Sequence, residues 1–67
     1  MKIKNNLFVI RATLGYKHGK QFAEYLGVER TLYYKWEVGQ VTPSLDKALM
    51  VSKKLGMSVN DIWEIVD

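Results

Sequence analysis

With 67 residues, no cysteine and a formal net charge of +3, the chain has room for a single domain, residues 1–67, around a small core. A chain of this size buries only about 60% of its unfolded surface, which disfavours a large enzyme pocket. The lack of cysteine excludes a disulfide framework and thiolate metal ligands, and 48% hydrophobic with 25% charged residues is the composition of a globular chain rather than a disordered tail.

The apolar run after Lys2 and Lys4, Leu7 to Ile10, is cut by Arg11 and is too short for a signal peptide or a membrane span. A cytoplasmic protein with no membrane partner is expected. Ile3, Leu7, Ile10 and Leu14 recur at i, i+4, i+7 and i+11, which predicts a first helix over about residues 4–14, stopped by Gly15. Phe22, Ala23 and Leu26 predict a short second helix ending at Gly27. Ala23 is small enough to let another helix cross closely, and Gly27 can take the left-handed conformation that ends a helix.

In the third helix, about residues 30–37, rotation by about 100° per residue puts Leu32, Tyr33 and Trp36 on one side. Arg30, Thr31, Tyr34 and Lys35 fall on the other, so one face packs and the other is presented. Gly39 ends this helix and residues 40–43 form a loop before Ser44, which can cap a fourth helix. There Leu45, Ala48, Leu49, Ser52 and Leu55 share a face, with Lys53 and Lys54 favourably placed in the last turn before Gly56. Ser58 and Asp61 resemble a capping box, and Val59, Ile62, Trp63 and Val66 give a fifth helix its stripe. No strand or repeat is evident, so the expected fold class is all-α.

Charge is unevenly spread. Residues 1–35 carry Lys2, Lys4, Arg11, Lys17, Lys20, Arg30 and Lys35 against Glu24 and Glu29, a balance of +5, whereas residues 36–67 sum to −2. The positive half is the one with the presented helix face, as a polyanionic partner requires. Catalytic chemistry lacks its parts. His18 is the sole histidine, no serine has a local base, and neither a cofactor, a metal site nor a small-molecule ligand is indicated. Asp61 and Glu64 would share a helical face, but carboxylates there suit the helix dipole better than a metal.

The ordered set Arg11; Ala23, Gly27 and Val28; Tyr33, Trp36, Glu37 and Gly39; Pro43, Ser44 and Leu45; and Leu55, Gly56 and Ser58 carries a resemblance. Over essentially its whole length the chain resembles the Cro and phage-repressor type of helix-turn-helix domain, the XRE family. The resemblance implies a compact five-helix, lambda-repressor-like domain with the helix-turn-helix at helices 2 and 3. It also implies that Arg30, Thr31, Tyr34 and Lys35 face base edges in the major groove of double-stranded DNA. Arg30 has the planar fork that bonds both acceptors of a guanine, Lys35 can donate to the same atoms, and Thr31 can touch a thymine methyl. Tyr34 can meet a sugar, a phosphate or a thymine.

Phosphate contacts in the family come from the start of helix 2 and the loop after helix 3. Here His18 and Gly19 stand where the family has a threonine-glutamine pair. The role therefore passes to Lys17, Lys20 and the helix-start amides, with Gln40 and Thr42 in the later loop, whereas Val38 and Val41 cannot bond phosphate. Glu29 replaces a serine and suits the dipole of helix 3, or accepts from a cytosine amino group. Arg11 and Glu37 match positions that pair in many members and orient the recognition helix; the alternative is two solvated charges worth about 0–1 kcal/mol together. Trp36 belongs to the core.

These features describe a sequence-specific transcriptional regulator, in the simplest case a repressor that occludes a promoter. One module of this size touches few bases, so a homodimer on a palindromic operator with half-sites about 34 Å apart is expected. Trp63, Ile65 and Val66 exceed what helix 5 needs for packing and are the candidate dimer contacts, with Trp63 equally suited to the core. The alternative is a protein-interaction module on the same scaffold, such as the antitoxin partner of a toxin. It draws on the lost glutamine, Glu29 and the Tyr33–Tyr34 pair.

Overall fold

Apolar spacing at helical period builds most of the chain, and the computed structural model, which describes residues 2–67, shows five helices closed by a pair of short strands. In order these are β1 (Lys2–Asn5), α1 (Leu7–Thr13), α2 (Gly19–Leu26), α3 (Arg30–Glu37), α4 (Leu45–Leu55), α5 (Val59–Ile62) and β2 (Trp63–Val66). The core gathers Leu7 and Ile10 of α1, Phe22, Ala23 and Leu26 of α2, Tyr33 and Trp36 of α3, Ala48 and Val51 of α4, and Ile62 and Trp63.

The fold is mostly helical but not all-α. β1 and β2 pair antiparallel, with Ile3 opposite Ile65, Lys4 opposite Glu64 and Asn5 opposite Trp63. This corrects both ends of the sequence reading. The first helix begins at Leu7 rather than near residue 4, because Asn5 turns the chain: its Oδ1 accepts from the Leu7 amide at 3.0 Å, an Asx-type turn that separates strand from helix. Of the expected stripe only Leu7 and Ile10 are buried, while Ile3 and Leu14 are exposed.

At the other end α5 is a single turn. Its capping box is present, with the Asp61 amide donating to Ser58 Oγ at 3.2 Å and the Ser58 amide to Asp61 Oδ2 at 3.3 Å. Trp63 then turns extended, so Glu64 lies on a strand opposite Lys4, Nζ to Oε2 4.0 Å, and does not share a helical face with Asp61. α4 presents Ala48 and Val51 to the core and leaves Leu45 and Leu49 exposed. At 100° per residue the 48–51–55 stripe is centred well away from Leu45 and Leu49, which mark the margin of a broad apolar arc. Ser44 is the N-cap residue of α4, but its hydroxyl donates to Asp46 Oδ1 instead of capping an amide.

Candidate nucleic-acid interface

α2 and α3 meet through a turn whose geometry follows from Gly27. Its φ of 79° is left-handed, the region that glycine enters without strain, and the amides of Gly27 and Val28 return to Glu24 and Ala23 carbonyls at 3.1 and 3.0 Å. The next residue, Glu29, is the N-cap of α3 and makes no side-chain capping bond. α3 then crosses α2 with Tyr33 and Trp36 fully buried and Leu32 half-buried. The Tyr33 ring meets Phe22 edge-on at 5.6 Å, and Trp36 meets Trp63 edge-on at 6.2 Å. Burying these rings fixes the rotation of α3 and leaves Arg30, Thr31, Tyr34 and Lys35 together on its exposed side.

Two clamps, one buried and one half-buried, hold that helix. Arg11 is only 8% exposed; its Nη2 donates to Glu37 Oε1 at 3.1 Å at the end of α3. Its Nη1 donates to the carbonyls of Lys17 at 2.8 Å and Tyr16 at 3.3 Å. One guanidinium thus joins α1, the α1–α2 turn and the last turn of α3. Burial works against its charge, but the Glu37 hydrogen bond and carboxylate outweigh this and raise its pKa above the usual value. The second clamp is Asn5, whose Nδ2 donates to the last carbonyls of α3, Trp36 at 2.9 Å and Glu37 at 3.2 Å. Sequence reasoning missed Asn5, although an Asn-Asn pair ahead of an apolar run is a helix-start signal.

Four exposed cations lie on or beside the two-helix unit. Arg11 is neutralised by Glu37 and Lys4 lies beside Glu64, whereas Lys17 and Lys20 near the start of α2 and Arg30 and Lys35 on α3 are exposed; Lys2, Lys47, Lys53 and Lys54 are exposed elsewhere. On the other flank Gln40 and Thr42 are exposed in the loop after α3 and line a depression of about 430 Å³ together with Lys2. Lys2 was not singled out from the sequence because the strand that brings it to this loop depends on pairing with the far end of the chain. The proposed dimer contacts are separated. Trp63 is 8% exposed and packed in the core, whereas Ile65 and Val66 are exposed on alternate faces of β2.

A tight two-helix turn with one helix packed on the other and presenting a polar, basic face defines a helix-turn-helix DNA-binding class. The helix-turn-helix family model HTH_3 matches residues 10–62, and the chain belongs to this XRE-type, Cro-like family of DNA-binding regulators. No curated protein matches the sequence. Among the described residues no helix is long and apolar enough to cross a membrane.

Proposed function

We propose that the protein is a sequence-specific repressor that occludes promoter DNA as a homodimer, with α3 of each copy in the major groove. The observation that carries this reading is the exposed quartet Arg30, Thr31, Tyr34 and Lys35 on a helix whose rotation is fixed by the burial of Tyr33 and Trp36. Arg30 and Lys35 donate to guanine, Thr31 and Tyr34 to bases or the sugar-phosphate edge, and Lys17, Lys20, Gln40 and Thr42 hold the backbone on either side. The Arg11–Glu37 pair orients α3, since a buried pair contributes more to placement than to stability.

Dimerisation is supported by an apolar surface beside the two-stranded sheet. A groove of about 310 Å³ is lined by Ile3, Pro43, Leu45, Val59 and Trp63 and bordered by Thr42, and Ile65 stands opposite Ile3 in the sheet. A second copy seated there would supply the second half-site that a module of this size needs.

Selection of bound duplexes from random DNA tests the reading. A palindromic site is expected, and Arg30→Ala should lose about 1–3 kcal/mol on it while relaxing one base position in each half. Recovery of no site, or an Arg30→Ala protein that binds the site unchanged, would overturn the DNA-reading role and favour a protein-interaction module, such as an antitoxin.

A further inference from the structure

Gly19 opens α2, yet its backbone does not need glycine. The glycines with positive φ are Gly15, Gly27, Gly39 and Gly56, and glycine is a poor helix former. What it provides is space. Gly19 is buried, and a Cβ placed on it would lie 2.8 Å from both Cζ and Oη of Tyr34 and 2.9 Å from Cε1. Carbon atoms at optimal contact stand about 3.5–4.0 Å apart, so no side chain fits beneath this ring.

Tyr34 is supported from a second side. Its ring meets Tyr33 at 5.9 Å and 66°, and Tyr33 is fully buried against Phe22. The phenol is thereby seated across the first turn of α2 while remaining 40% exposed. We infer that Gly19 is a positioning residue for DNA recognition: by having no side chain it seats Tyr34 as a fixed reading element bridging the two helices. A ring ordered before binding loses little freedom on contact, and the atoms a Cβ would strike are the ring tip. A side chain at 19 therefore moves the reader and spares the fold. The inference rests on the DNA-reading role of α3 proposed above.

The experiment compares the full chain with its Gly19→Ala, Tyr34→Ala and doubly substituted forms. In the free wild-type protein the Gly19 α-protons should be displaced by the tyrosine ring current and return to ordinary values in Tyr34→Ala, a readout independent of DNA. On the duplex selected by the wild type, Gly19→Ala should bind about ten-fold more weakly and change preference at the base position that Tyr34→Ala also changes, while melting within about 4 °C of wild type. In the double variant Gly19→Ala should have no further effect, the signature of two residues acting through one contact. Absence of the ring-current displacement overturns the inference whatever the DNA result. So does equal weakening by Gly19→Ala in both backgrounds, which would mean that the glycine backbone itself meets the DNA. If the ring current is present but the wild type selects no duplex, the packing stands and the DNA-reading role falls, taking the inference with it.

Discussion

Tyr33 carries a hydroxyl into the core beside Arg11 and Glu37; among the described residues it has no hydrogen-bond partner, and neither have the buried Arg11 Nε and Glu37 Oε2. Burial, and after it the Glu37 carboxylate, pushes the phenol above its ordinary pKa of 10.0, so it is held neutral. A pKa raised in the folded state gives stability that is complete below the unfolded value and is lost as pH rises past it. Folding should therefore weaken above about pH 10, by at most about 1.4 kcal/mol per pH unit from this group. Tyr33→Phe removes an unsatisfied polar group while keeping the ring on Phe22. Urea melts should find it as stable as wild type or more so at pH 7, with a flatter decline between pH 9 and 11. A loss of more than about 1 kcal/mol at pH 7 would mean the hydroxyl has a partner worth keeping.

At the scale of elements, α3 is a rod held at its C-terminal end, and the holding is testable. Arg11→Met leaves Glu37, whose side chain is 12% exposed, without a partner and frees two turn carbonyls, which should cost about 3–5 kcal/mol. Adding Glu37→Leu should restore most of that stability in urea melts, yet DNA binding should remain weak because the α1–α2 turn is no longer tied to α3. Recovery of both together would reduce the pair to a matter of charge balance. The helices themselves were legible because their signals are local. Phe22, Ala23 and Leu26 before Gly27, and Ser58 with Asp61, settle their own conformation within one or two turns. The strands were not legible. Ile3 and Val66 are each consistent with a helical stripe, and only the pairing of their segments across the length of the chain makes them strand. The same limit applied to the site. Which side chains α3 presents followed from its spacing, but that Arg11 bonds two turn carbonyls, that Asn5 caps α3 and that Tyr34 fills the space above Gly19 are facts of tertiary approach.

On the whole molecule the apolar groove borders the loop after α3 at Thr42, but Ile65 lines neither the groove nor the depression beside that loop, so its effect on DNA binding can be separated from theirs. Ile65 is 63% exposed, and Ile65→Lys should leave the melting temperature within a few degrees of wild type. It should weaken binding to a palindromic duplex at least about ten-fold while leaving an isolated half-site unaffected; equal loss on both would exclude this face as the dimer contact. Salt dependence then reports how the cations divide their work. Log affinity falls against log salt with a slope of about −0.9 per neutralised phosphate. If Lys17 and Lys20 serve phosphates while Arg30 and Lys35 read bases, two copies neutralise about four phosphates, and the slope should be about −4. If all four side chains sat on phosphates the slope would approach −7, and sequence preference would be weak. Lys17→Ala should therefore make the slope shallower by about one for each copy and weaken all sequences alike, whereas Arg30→Ala should change the preferred base and leave the slope nearly unchanged. Titrations of the selected and a scrambled duplex between 50 and 300 mM salt would distinguish the two arrangements, and a steep slope that Arg30→Ala reduces would move Arg30 from the bases to the backbone.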